Sequence, residues 1–427
     1  MEQSAATRRD FFKASGASAF LIIKPELVRG AGKEMLKAGL VGCGRRGTAA
    51  AADFLTGNEN VRLVAMGDVF QDQIETSLKQ LNDLKANPGI QDKVQVDPEH
   101  RFVGFDAYKK VIASGVDIVM LCTPPAYRPM HFEAAIEARK HVFAEKPIAT
   151  DPVGARRFIA AVGKAEQLKL TVMSGAQRRW YDEYVETVEK IRNGVIGEVV
   201  ATYARFWDIV RLRVPVRPPE WGDMEFQHRS WYPFVWICGD HMVEQHFHSL
   251  DTINWVMGTH PVKVVASGGA AWRPRQEVYG NIYDHMNADF VYANGVHMSS
   301  SSRQYPAGSA APRDDMVVGT KGRSNCYDLG PSKGGGQFSM WSRKPYVQEH
   351  IEMVKSIRGE RPYVNQGMIL AESTLTAIMA RESAYSGLEI TWDQIMASKQ
   401  DLMPKTFDMK QKMEPASLAV PGVYKFV

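Results

Sequence analysis

Residues 239–251 hold the densest acid–base chemistry in the chain. On a helix, Glu244, His248 and Asp251 would share one face at i, i+4 and i+7, with Val243, Phe247 and Leu250 turned towards another. A carboxylate and an imidazole aimed into a cleft can take a proton from a hydroxyl as a hydride leaves the same carbon. His241, Glu244 and His248 also stand at i, i+3 and i+7, where a metal could be shared. A zinc site would need a further ligand and a water. His246 fits a histidine satisfied in the interior.

A second group of residues suits phosphate chemistry. Gly42-Cys43-Gly44-Arg45-Arg46-Gly47 follows an apolar run at 36–41 and opens a helix-like stretch at 48–55. That is the context a dinucleotide loop needs. Gly42 allows the tight turn, Gly44 lets the backbone approach the pyrophosphate, and Gly47 lets the helix pack closely on the sheet. The helix N-terminus adds unpaired N–H groups and a positive dipole. Asp68 ends the next apolar run about 20 residues on. A carboxylate there accepts from both ribose hydroxyls and repels a ribose phosphate, which favours NAD over NADP.

Lys146 lies in Glu145-Lys146-Pro147, after a buried-looking strand. Pro147 fixes the chain direction, so Lys146 should project from the C-terminal edge of the sheet, where ligands of such sheets bind. Trp207, Arg211, Arg213, Trp221, Phe226, His228, Arg229, Trp231, Tyr232 and Trp236 crowd the stretch before residue 239. Aromatic faces stack on the C–H faces of sugar rings, and arginine and histidine bond their hydroxyls, so the cluster points to carbohydrate. Gln177 and Arg178 close a strand near the same place.

The elements that must position these groups follow from periodicity. Strands at 36–41, 61–66, 116–121 and 141–144 alternate with helices at 48–55, 74–84 and 129–139, which implies a parallel, doubly wound sheet. A helix at 153–165, a strand at 170–174 and a helix at 183–192 come next. Strands at 199–206, 262–267, 286–292 and 296–301 then give the look of a mainly antiparallel open sheet with helices on one side. Residues 207–236 show turn chemistry, residues 346–386 a helix, and residues 404–427 an irregular tail. The expected fold is α/β: a signal and linker at 1–34, a Rossmann domain at 35–151, and an α+β domain at 152–427 for substrate binding and oligomer contacts.

Gly42 to Gly47, Asp68, Cys122-Thr123-Pro124-Pro125, His131 and the run from His141 to Pro147 occur in one order and spacing. Together they resemble the glucose–fructose oxidoreductase / inositol dehydrogenase family (Gfo/Idh/MocA-like) of NAD(P)-dependent oxidoreductases, over residues 35–392. The resemblance implies that Lys146 is catalytic and that the second domain carries an open sheet for substrate and oligomer contacts. It implies no metal. Several relatives have Asp-x-Gly-x-His-x-x-Asp at the later site. Aligned on His248 and Asp251, Glu244 replaces the acid and His246 the glycine, two departures that suggest a different substrate or step. The implied catalytic residues are Lys146, His248 and Glu244. The implied cofactor site is Gly42, Cys43, Gly44, Arg45, Arg46, Gly47, Asp68, Thr123, Pro124, His131, Glu145 and Lys146. With the aromatic cluster and the strand end read above, the candidate substrate site is Lys146, Gln177, Arg178, Trp207, Arg229, Trp231, Tyr232, Glu244 and His248.

Composition narrows the class. Hydrophobic residues make up 44% and charged residues 23%, an ordinary globular balance. The net charge of +4, with no long basic run, gives no footprint for nucleic acid. No stretch approaches the roughly 18 consecutive apolar residues of a membrane span. Cys43, Cys122, Cys238 and Cys326 form no Cys-x-x-Cys pair, and disulfides are not expected. Arg8-Arg9, then Phe11-Phe12-Lys13 and a short apolar stretch at 14–23, read as a twin-arginine export signal. That route carries folded proteins, so the protein would leave with NAD already bound and tightly held. The expected protein is a periplasmic or otherwise exported, NAD-dependent oxidoreductase of sugars or glycosides, forming a homo-oligomer through its second sheet. One alternative is an NAD-dependent glycosidase working by transient oxidation and elimination. The other is a sugar-binding protein without turnover, against which the presence of Lys146, His248, Asp68 and the glycine loop argues.

Overall fold

The computed structural model describes residues 34–210, 216–329 and 344–427. The candidate export signal, Arg211 and Arg213 lie outside these residues.

Six parallel strands form the first sheet: β1 Leu36–Val41, β2 Val61–Asp68, β3 Arg101–Val103, β4 Ile118–Leu121, β5 His141–Ala144 and β6 Val172–Ser174, in the order β3-β2-β1-β4-β5-β6. β4 is apolar and buried along its whole length because helices cover both faces. The strand order reverses between β1 and β4, which opens a crevice at their C-terminal ends. The sheet runs on past residue 151, where the sequence pattern ends it: β6 pairs with β5 after the helix Pro152–Gln167. Asp151 caps that helix through Gly154 N–H at 2.7 Å, worth about 1 kcal/mol.

The second sheet has seven strands: β7 Val199–Ile209, β8 Lys263–Gly269, β9 His285–Val291, β10 His297–Tyr305, β11 Arg313–Gly319, β12 Arg323–Ser324 and β13 Ile390–Thr391. Their order is β12-β11-β7-β10-β9-β8-β13. Every pairing is antiparallel except β7 with β10. In β9, Met286, Ala288 and Phe290 are buried while Asn287 and Asp289 are exposed, so one face is packed and the other open. The helices Phe247–Met257 and Gly367–Ser386 cover the packed face.

Three expectations change. Residues 346–386 form two helices, Lys344–Ile357 and Gly367–Ser386, parted by a turn at Gly359 with φ +72°. Residues 207–236 hold the end of β7 and the short helices Asp223–Arg229 and Val235–Cys238. The histidine-bearing segment is broken at Gln245 and His246 into His241–Glu244 and Phe247–Met257. All four cysteines are free.

Candidate active site

The glycine loop fills the crevice between β1 and β4. Gly42 has φ +93°, and a Cβ there would lie 2.6 Å from Thr123 N; a Cβ on Gly47 would lie 1.9 Å from Gly42 O. These two glycines are needed for the chain to fit itself. Gly44 differs: a Cβ there meets no atom within 4 Å, and the residue lines the cleft. The room beside it is what a pyrophosphate requires, so the loop fits a dinucleotide on its own geometry. Arg45 is exposed at the cleft edge. Asp68, at the end of β2, accepts from the backbone N–H of Cys43 (2.7 Å) and Phe70 (3.0 Å). Burial pushes its carboxyl above the ordinary value, and those N–H groups oppose the shift.

A single cleft of about 900 Å³ runs from this loop to the second sheet. Gly42, Gly44, Arg45, Arg46, Gly47, Asp68, Thr123, Pro124, His131, Glu145 and Lys146 all line it. Cys43 does not. Its thiol is buried against Gly67 O, and its part in the loop is the N–H given to Asp68. Arg46 and Glu145 are used on each other: they form an ion pair, and Arg46 also reaches Glu349 (3.3 Å) and Asp53 (3.7 Å). That cluster ties the glycine loop to the Glu-Lys-Pro turn. His131 is buried and stacked on Tyr108 at 4.1 Å; burial lowers its pKa to about 3, so it stays neutral.

At the other end of the cleft the Lys146 ammonium donates to Glu244 O (2.5 Å) and to Glu244 Oε1 (3.0 Å). Glu244 Oε2 is buried without a partner among the described residues. His248 lines the same wall, and its ring makes no hydrogen bond to the described residues. Burial first, then the positive charges of Lys146, Arg178, Arg46 and Arg313, push its pKa well below the ordinary histidine value. His248 is therefore a neutral imidazole at neutral pH, able to accept a proton. Arg178 donates to His248 O (3.2 Å), Thr252 Oγ1 (3.1 Å) and Asp315 Oδ2 (2.5 Å), which fixes the turn that carries His248. Gln177, Trp231 and Tyr232 complete the wall, and the Tyr232 hydroxyl accepts from Gln304 Nε2 at 2.6 Å.

Three placements differ from the sequence reading. Asp251 does not share the face of Glu244 and His248, because the break at 245–246 rotates it away. It bonds Arg179 (2.8 and 2.9 Å) and Ser373 (2.8 Å) in the interior. Trp207 lies outside the cleft: β7 continues to Ile209, so Phe206 and Asp208 face the cleft and Trp207 faces the opposite way, its ring 3.7 Å from the Arg303 guanidinium. Arg229 lines the cleft, but at the Asp68 end, bonded to Asp72.

The buried His241 and His246 turn to Ser302 Oγ (2.8 Å) and Ser300 Oγ (2.7 Å) of β10. Among the described residues, only the surface group Asp97, Glu99 and His100 brings three ligand atoms together. Sequence reasoning missed Phe70, Tyr127, Asp208, Arg313 and Tyr346, which also line the cleft. Of these, only Phe70, two residues after Asp68, carried a local signal.

Two family profiles match the chain: "Oxidoreductase family, NAD-binding Rossmann fold" over residues 36–174, and "Oxidoreductase family, C-terminal alpha/beta domain" over residues 188–361. The chain is similar to the myo-inositol 2-dehydrogenase of Thermotoga maritima, 24% identical over 235 residues, covering 55% of this chain and 58% of that protein. It is also similar to the D-glucoside 3-dehydrogenase of Escherichia coli, 26% identical over 233 residues, covering 54% of this chain and 56% of that protein. The chain thus spans a little over half the length of these relatives. Its fold is that of scyllo-inositol dehydrogenase from Lactobacillus casei, crystallised with NAD(H) and scyllo-inositol: the TM-score is 0.62 at 17% identity, over 84% of this chain and 99% of that one. No helix among the described residues is long and apolar enough to cross a membrane.

Proposed function

Because the chain belongs to the oxidoreductase family built from an NAD-binding Rossmann domain and a C-terminal alpha/beta domain, we propose that it oxidises a hydroxyl of a sugar or glycoside with an NAD that it does not release. The observation that carries this reading is the meeting of Lys146, Glu244 and His248 in one cleft with the glycine loop and Asp68.

NAD, when bound, supplies the hydride acceptor. Gly44 would give its phosphates backbone room in the loop that Gly42 and Gly47 shape, and Asp68 would accept from its ribose. The neutral His248 takes the proton of the substrate hydroxyl. The Lys146 ammonium donates to that oxygen as the proton leaves. Glu244 holds Lys146 in place, and its longer reach than an aspartate brings a carboxylate oxygen to the substrate space. Trp231, Tyr232 and Gln177 offer the aromatic face and hydrogen bonds that suit a pyranose.

The twin-arginine motif at Arg8-Arg9 supports export, to the periplasm or beyond, of a protein folded around its nucleotide. The open face of the second sheet, with Tyr203, Arg205, Trp207 and Arg303, supports contact between copies of the chain.

The test is incubation of the purified protein with a panel of sugars, polyols and glycosides, following nicotinamide absorbance and product mass together. A product lighter by two hydrogens means net oxidation, and a cleaved glycoside means elimination. No product and no absorbance change would leave only a binder. Asp68→Ser should weaken NAD and improve the relative affinity for NADP, measured by titration of nucleotide-depleted protein. Equal affinity of the unmodified protein for both nucleotides would contradict the role given to Asp68.

A further inference from the structure

The nucleotide end of the cleft is walled by two distant segments of the chain. Asp68 ends β2, Phe70 follows it, and the helix Gln71–Leu81 begins next. From the other side comes Arg229, the last residue of the helix Asp223–Arg229. Its guanidinium grips Asp72 with two parallel bonds, Nη1 to Oδ2 at 3.1 Å and Nη2 to Oδ1 at 3.2 Å. It also lies 3.8 Å from the Phe70 ring centroid and 4.9 Å from that of Trp221. An exposed ion pair alone contributes little. A bidentate pair whose part-buried guanidinium also lies over two aromatic rings contributes more. Glu225 accepts from Arg229 Nε at 2.9 Å, which sets the fork towards Asp72.

The helix that presents Arg229 is itself tied down by the chain's tail. Glu225 N–H donates to Met409 O (3.2 Å), Met413 N–H to Asp223 Oδ2 (2.8 Å), and Gln227 Nε2 to Met413 O (2.6 Å). Phe407 packs 5.2 Å from Phe105, in the cleft wall. The tail therefore anchors this helix to the first sheet's side of the cleft.

We propose that Arg229 is a nucleotide-retention residue: its clasp on Asp72 and Phe70, held by the tail, closes the ribose end of the cleft and slows the escape of bound NAD. The proposal rests on the reading that NAD is not released. It also changes what Arg229 is for, from a sugar contact to a bridge beside the ribose carboxylate. Cofactor affinity thereby comes partly from the helix Asp223–Arg229, outside the Rossmann sheet, and it requires that helix to be seated by the tail.

The test is the dissociation rate of NADH from the full-length protein, followed by loss of its fluorescence after an excess of NAD is added. Arg229→Ala and Asp72→Asn should each speed release about tenfold or more. The double variant should release no faster than either single one, because both break the same contact. The sugar KM of Asp72→Asn at saturating NAD should stay unchanged. Asp72 is more than half exposed, so Asp72→Asn leaves the core intact and serves if Arg229→Ala fails to fold. Release as slow in both variants as in the unmodified protein would overturn the clasp. Unmodified protein that loses its nucleotide on simple dilution would instead overturn the retention reading, whatever the variants do.

Discussion

Alanine at Lys146 or at His248 should lower turnover about a hundredfold or more and leave the nucleotide bound, because positioned acid–base groups contribute on that scale. In the proposed reaction both residues act on the substrate oxygen. His248 has no partner among the described residues to compete for the proton, and Lys146 is fixed by two bonds to Glu244. Histidine ordinarily titrates near pH 6.5. With its pKa depressed, His248 remains a base below that pH, so the acid limb of kcat/KM should lie lower still. Removing the positive charge of Lys146 removes one cause of the depression. The acid limb of Lys146→Ala should therefore move to higher pH. A His248→Ala protein with normal kcat and a lowered melting temperature would make the residue a packing group only.

Gly47→Ala should abolish tight nucleotide binding and destabilise the fold as well. The added methyl would lie 1.9 Å from Gly42 O, a backbone atom that no rotamer change can move. Gly42 is pinned in turn by its N–H bond to Gly67 O at 2.8 Å. Overpacking of this kind costs about 1–3 kcal/mol, more against backbone, which is about fivefold to over a hundredfold in affinity if it falls on binding. Gly44→Ala separates the two effects. Its methyl meets no protein atom within 4 Å, so the nucleotide-free protein should melt as the unmodified one does. It would still occupy the cleft beside the loop, so NAD affinity should fall. Calorimetric titration and thermal melts of both variants check this; full affinity in Gly44→Ala would place the phosphates elsewhere.

Much of this site is local in sequence and was legible there. The strand, glycine loop and helix of residues 36–57 are contiguous, and Asp68 lies at a fixed distance along the chain. The Glu-Lys-Pro turn follows the next inner strand directly. The reading failed where a local pattern was extended across a break or stopped too soon. Asp251 was placed on the face of His248 by a helical period that the chain interrupts at Gln245 and His246. The aromatic clustering of 207–236 puts Trp207 with the cleft residues, but the alternation of β7 running to Ile209 turns it outward. Arg229 and Arg178 depend on partners far along the chain, Asp72 and Asp315, and no period or motif links such pairs. Tyr346 reaches the cleft only because the helix Lys344–Ile357 packs back on the first helix of the Rossmann sheet.

One measurement decides whether this cleft is a redox site with a captive nucleotide. Purified, extensively dialysed protein is mixed with an oxidisable sugar or glycoside, with no nucleotide added, and nicotinamide absorbance is followed through a single turnover. A retained NAD calls for nanomolar binding or better, about −12 kcal/mol. The amplitude should then approach one reduced nicotinamide per chain, and it should vanish in refolded protein that has first been stripped of its nucleotide and return when NAD is restored. Dialysed protein that shows no change, and reacts only when NAD is supplied, would make this an ordinary exchanging dehydrogenase and contradict the captive cofactor.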